Sequence, residues 1–277
     1  MRCMRQLYNS TLIDTFFVGK GRKTTLLLTA LLVSFVVSGC RKATGEGSRV
    51  PPPVPAADAI AQGDQFYTQR SDLMKVRQGL IALRQAQTSN PTDYEIAWRL
   101  AKFNYYLGDH TTDDTEQEKA FHDGIEAGKL AVKLDGNRPE GHFWLGANYG
   151  GYAKISTLAG LTDIDNIKRE MEAVIKINEG YEGGSAYLGL GQMYLKAPRI
   201  FGGDVDKAID YLEKGLKVGP NNGLMHLRLA QAYAAANRDN DARQQLKVLF
   251  ENKPTPGYEP EYSDAVKEGK ELEEKLK

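Results

Sequence analysis

The chain has 277 residues, 41% of them apolar, and its 36 Lys and Arg balance 36 Asp and Glu. That composition is globular and gives enough apolar material for one large domain or two ordinary ones. Its two cysteines, Cys3 and Cys40, exclude a disulfide framework or a thiolate metal site in the folded part, and the mildly acidic balance beyond residue 39 leaves no electrostatic footprint for nucleic acid.

The charge is unevenly spread. Residues 1–39 hold Arg2, Arg5, Lys20, Arg22 and Lys23 against Asp14 alone, which leaves the remainder mildly acidic. Lys20, Arg22 and Lys23 stand just before an uncharged run over 24–40, whose apolar part, Leu26 to Val37, is 12 residues long. A spanning helix needs about 20, so the charged-apolar-small order predicts a secretory signal rather than a permanent span. Val37-Ser38-Gly39-Cys40 matches the lipobox of bacterial lipoproteins. That resemblance implies cleavage before Cys40 and acylation of its thiol and new amine, which would anchor the protein to a membrane. Residues 1–18 are long for a signal's basic region and suggest a translation start nearer Val18. Arg41 lacks the acidic character linked to inner-membrane retention, which favours the outer membrane, facing the periplasm. Residues 40–57, with Pro51, Pro52, Pro53 and Pro55, predict a lipidated cysteine on an extended tether of roughly 40–50 Å.

From residue 58 onward the chain reads as repeated helix pairs. Ala59 to Gln69 and Leu73 to Gln87 form a degenerate first pair, with Ala86 and Pro91 in the places that such a repeat requires. Trp98, Leu100, Ala101 and Tyr105 open a second, whose closing helix ends near Leu134. The polar stretch Asp109 to Glu118 is expected as a loop. His142, Leu145, Gly146 and Tyr149 open a third, closed by Ile164 to Ile177. Tyr187, Leu190, Gly191 and Tyr194 lead into Ala208, Leu212, Gly215 and Pro220. The fifth unit runs from His226, Leu229, Ala230 and Tyr233 to Ala242, Leu246, Leu249 and Pro254, 34 residues after Pro220. Small residues where paired helices cross, with Leu and Tyr filling the gap between them, are the tetratricopeptide pattern. The fold class expected is all-α, a right-handed superhelix of about five tetratricopeptide-like helix-turn-helix repeats with inserts, over 58–261. A charged capping helix follows at 262–277. Extra residues after Tyr149, including Ile155 to Thr162, and around Lys196 to Gly203 mark the inserts.

First helices line the concave face of such a stack. The spacing assigns to it Trp98, Lys102 and Tyr105, then Phe143 and Ala147, Leu188 and Gln192, Leu227 and Gln231. This stripe suits an apolar ligand or a partner's helix, unless the chain's own inserts bury it. Lys154 follows a Gly150-Gly151-Tyr152 turn and reads either as a pocket cation or as a surface lysine. Gly202-Gly203-Asp204, after Arg199, reads either as an anion-binding nest or as a turn with an Asp N-cap on a helix from Val205. His110, His122, His142 and His226 show no pair at ligand spacing, and no metal or cofactor is expected. No serine sits in a nucleophile elbow, and the carboxylate pair Asp113-Asp114 falls in a polar stretch, so an enzyme is not expected.

Several stretches are more specific than generic repeat positions. They are Trp144-Leu145-Gly146-Ala147-Asn148-Tyr149-Gly150 running into Ala153-Lys154, then Ile167-Lys168 and Gly184-Ser185-Ala186-Tyr187. Above all there is Pro198-Arg199-Ile200-Phe201-Gly202-Gly203-Asp204, which lies in an insertion. In these the chain resembles the tetratricopeptide (TPR) lipoproteins associated with TRAP (tripartite ATP-independent periplasmic) transporters, their T component, over roughly residues 58–255. The resemblance implies a lipid-anchored helical protein that docks the transporter's periplasmic solute-binding protein, with a small organic or apolar ligand and a homo-oligomer as further implications. The alternative is a general TPR scaffold lipoprotein for envelope assembly. The weak first repeat and the long leader depart from the family, which puts the oligomer contacts in doubt more than the fold.

Overall fold

The computed structural model describes residues 55–156 and 162–277. The signal, Cys40 and most of the tether lie outside the described residues. Among those described there are eleven α-helices and no strand. They are α1 (Ala56–Tyr67), α2 (Leu73–Ser89), α3 (Tyr94–His110), α4 (Asp114–Leu134), α5 (Pro139–Ile155), α6 (Ile164–Asn178), α7 (Ser185–Lys196), α8 (Val205–Val218), α9 (Gly223–Ala235), α10 (Asp239–Glu251) and α11 (Glu259–Lys275). Each helix packs on the next up to α10. First helices also touch across repeats, α1 on α3, α3 on α5, α5 on α7 and α7 on α9, which is the superhelical stack of helix pairs.

Short polar residues set the starts. Asp72, Asp93, Asp113, Asp204 and Asn222 each accept a hydrogen bond from a backbone N–H of the first turn they precede, contributing about 1 kcal/mol per cap. Pro139 opens α5, where a missing N–H costs nothing.

The stretch from Asp109 to Glu118 is not a loop. α3 runs to His110, Thr111 to Asp113 make the turn, and α4 begins at Asp114. Its polarity is that of a helix start: Asp113 caps the Glu116 N–H at 2.8 Å, and acids in a first turn suit the helix dipole. Glu116 also holds Arg77 of α2 at 2.6 Å, with its pKa drawn down to about 2, chiefly by that arginine. Gly150, Gly151 and Tyr152 likewise make no turn; they continue α5. Gly151 is where α5 comes against the Phe121 ring of α4, leaving no room for a Cβ.

The core is continuous but graded. One apolar cluster fills the space among α1 to α5 and another runs from α4 to α11, and Phe143 and Ala147 pack against both. At the α5–α6 crossing both His142 ring nitrogens face acceptors, Nδ1 to Glu170 Oε2 at 2.6 Å and Nε2 to the Gly136 carbonyl at 3.1 Å. This arrangement favours imidazolium, and the Glu170 carboxylate raises the His142 pKa above its usual value. Glu170, itself 5% exposed, is also held by Arg169. A raised histidine pKa stabilises the fold fully below about pH 6.5, and that contribution fades as pH climbs through the folded-state value. Thermal melts should therefore show the midpoint falling from pH 6.5 upward. His142→Gln should flatten that slope; an unchanged slope would assign it to other groups.

Candidate functional site

The concave side of the first three repeats carries a wall of aromatic rings. Tyr67 of α1 meets Phe103 and Tyr106 of α3, with ring centroids 5.1 and 5.8 Å apart. Tyr105 lies 5.7 Å from Trp144, Phe143 lies 4.9 Å from Trp144, and Tyr181 lies 5.3 Å from Phe143. Tyr181 belongs to a 3-10 turn, Tyr181–Gly183, between α6 and α7. At the middle of the wall sits the Lys102 ammonium, 4.0 Å from the Tyr67 ring centre, 5.6 Å from that of Trp144 and 5.9 Å from that of Trp98. The negative faces of three rings stabilise a cation there. Burial nevertheless pulls the Lys102 pKa down, and the nearby Glu182 carboxylate opposes that.

The other charges on this side are paired. Lys154 reaches Asp109 at 2.8 Å, and Arg228 of α9 reaches Glu268 of α11 at 2.6 Å. Asp109, followed by burial, pushes the Tyr105 hydroxyl up to about 12, while Lys154 and Arg228 draw it back. The last pair is the most consequential. Arg70, in the turn after α1, forks onto both oxygens of Glu261 at the start of α11, at 2.9 and 2.7 Å, and also donates to the Gly257 carbonyl. Its guanidinium packs over the rings of Tyr67 and Tyr106, and Arg70 is only 5% exposed. The first and last elements of the array are thus clasped together, and the aromatic wall is bounded by both.

Of the residues expected on the concave face, Trp98, Lys102, Tyr105 and Phe143 come together here. Ala147 lies half-buried behind them, and Gln192 and Gln231 are half-buried further along. Leu188 and Leu227 do not line an open face. They are 8% and 0% exposed and belong to the core. Leu227 is covered by α11, which packs on α9 and brings Val266 and Leu272 into that same cluster, while Leu188 is buried in the core around α7. Tyr152 sets its ring 4.4 Å from His122 on α4, and Lys154 is exposed in its ion pair. Arg199 lies exposed on the 3-10 turn Arg199–Phe201, and Asp204 caps α8 by accepting from the Lys207 N–H at 3.1 Å. Ile200 on that turn is 84% exposed.

Sequence reasoning missed Tyr67, Arg70, Trp144, Glu182 and Glu261. Tyr67 and Arg70 fall in the degenerate first repeat, and Trp144 falls one position off the stripe. Glu182 had a signal in its flanking Gly180, Gly183 and Gly184. It sits with φ 48°, followed by two glycines also at positive φ, a run that turns the chain sharply back to the inner face.

A family model for regulator of microtubule dynamics protein 1-3 matches residues 59–190, and a tetratricopeptide repeat model matches residues 202–267. No curated protein matches the chain. Among solved structures it is similar to TTC0263, a thermophilic TPR protein in Thermus thermophilus. The two share 20% identity over 76% of this chain and 98% of that one, with a TM-score of 0.57. It is also similar to Pseudomonas aeruginosa pilF, at 16% identity over 80% of this chain and 93% of that one, with a TM-score of 0.51. Five stacked helix pairs and these likenesses agree on the fold, an all-α array of tetratricopeptide-type helix pairs, with a tetratricopeptide repeat matched over residues 202–267.

Proposed function

We propose that the chain is a lipid-anchored binding protein of the cell envelope. In this reading it is an accessory of a TRAP-type uptake system that docks a periplasmic solute-binding protein and presents or passes a small organic ligand. The observation that carries the reading is the aromatic wall with an ammonium at its centre, bounded by the Arg70–Glu261 clasp. Such a wall gives orientation through a few polar groups and affinity through apolar area, which is what small-molecule and peptide sites share. The Val37-Ser38-Gly39-Cys40 lipobox and the Pro198 to Asp204 insert support the location and the family. An exported address also argues against carrying a microtubule role over from the matched family model.

Two measurements test this. Cys40→Ser should move the protein from the membrane fraction to the soluble one; retention on the membrane would end the lipoprotein reading. The soluble form should then capture one of the host's solute-binding proteins when each is offered in purified form. Capture of none would end the transport reading and leave a general envelope scaffold.

A further inference from the structure

We propose that Lys102 and Glu182 form a two-point site for a small zwitterion with an apolar side chain. The ligand's carboxylate would sit on the Lys102 ammonium and its ammonium on the Glu182 carboxylate. This deepens, and rests on, the reading of the inner face as a ligand site.

Both groups are half-buried on the same inner face, and among the described residues neither side chain makes an ion pair or hydrogen bond. Around them Arg70, Lys154 and Arg228 each already hold a carboxylate. Lys102 and Glu182 lie beyond ion-pair contact yet feel each other electrostatically. Burial pushes the Glu182 pKa up and the Lys102 pKa down, and each group's charge partly opposes the other's shift across a gap with no ion-pair contact. A buried charge without a partner is costly, and a ligand that supplies one relieves that cost.

The backbone around Glu182 is also unusual. A residue with a side chain rarely adopts φ 48°, ψ 43°, yet this turn holds a glutamate there beside Gly183 and Gly184, either of which would take that conformation freely. The Trp144 indole N–H lies against the Tyr181 hydroxyl, which ties the residue next to Glu182 to the wall that holds Lys102.

Charge then selects the ligand. A simple carboxylate would satisfy Lys102 but repel Glu182. A simple amine would satisfy Glu182 but meet Lys102 and the nearby Arg70. A zwitterion satisfies both, and its apolar part finds Tyr67, Trp98, Tyr105 and Phe143.

The test is calorimetric titration of the full chain with L-phenylalanine, 3-phenylpropionate and phenethylamine. Phenylalanine should bind, and each truncated analogue should bind about tenfold or more weakly, as expected for losing one charge-assisted contact. Lys102→Met should make phenylalanine and phenethylamine equivalent, and Glu182→Gln should do the same for phenylalanine and phenylpropionate. Unchanged circular dichroism in both variants separates binding from folding. Phenylpropionate binding as tightly as phenylalanine, with Glu182→Gln silent, would overturn the proposal in favour of a plain carboxylate site. Silence from all three compounds while a solute-binding protein is still captured would overturn it and leave the docking function standing. Phenylalanine binding without any such capture would do the reverse.

Discussion

Arg70→Ala should open the array. The guanidinium reaches Glu261 across 191 residues of sequence and lies over two tyrosine rings, and it is almost wholly buried. Arg70 is buried but Glu261 keeps 28% of its side chain exposed, so solvent takes up part of the stranded charge and the cost should fall below the ~3–5 kcal/mol of a fully buried pair. Repeat arrays are quasi-one-dimensional, with each unit held mainly by its neighbours. The loss should therefore fall on the end-to-end contact rather than on every repeat. Hydrogen exchange should accelerate in α11 and in residues 68–72 while α4 and α5 stay protected, and small-angle scattering should report a larger radius of gyration. Glu261→Ala should reproduce both changes, and the double variant should add little to either single one, because the same interaction is removed each time. Arg70→Lys should recover part of the effect, since an ammonium keeps the charge but not the fork. An Arg70→Ala scattering curve that overlays the parent would show that packing of α11 on α9, not the clasp, sets the shape.

The repeat grammar was legible because small residues at helix crossings leave a local trace. Leu190, Ala208, Leu212, Leu229, Ala230, Ala242 and Leu246 were read from spacing and are at most 2% exposed. The Asp204 turn was equally readable, since an aspartate before an amphipathic run has a local meaning. Concavity was legible only where nothing else covers it. Trp98, Lys102, Tyr105 and Phe143 follow the generic rule, while Leu188 and Leu227 are buried, Leu227 under the C-terminal helix that packs on α9. The alternating charge of 262–277 announces a capping helix over the last repeat, but not which inner-face residues it covers. Nor does any local pattern announce Arg70 with Glu261, or the aromatic neighbours that give Lys102 its setting; these are products of superhelical closure. Asp109 to Glu118 failed for another reason. Polar composition alone does not separate a loop from a helix start, and the Asp113 cap decided it.

A second large effect belongs to Phe121, the 1%-exposed ring of α4 wedged between Gly108 of α3 and Gly151 of α5. Phe121→Ala should cost about 3–5 kcal/mol, transfer and cavity terms together. It should also loosen the inner wall, because Tyr105 leans on that ring at 6.4 Å. The sharper prediction is a change of sign at Gly151. Alanine is the better helix former by about 1 kcal/mol, so Gly151→Ala on a free helix would stabilise. Here its methyl would stand 2.1 Å from Phe121 Cε1. A buried ring held on both sides cannot yield that distance without shifting α4 or α5, and such overpacking costs about 1–3 kcal/mol. The clash should outweigh the propensity gain, leaving Gly151→Ala destabilised in the parent. In the Phe121→Ala background the obstacle is gone and the same substitution should raise the melting temperature. Denaturant melts of the four proteins measure the coupling directly. A Gly151→Ala effect of one sign in both backgrounds would mean that α5 has room to move at this crossing, and that the α4–α5 contact does not fix the position of the wall.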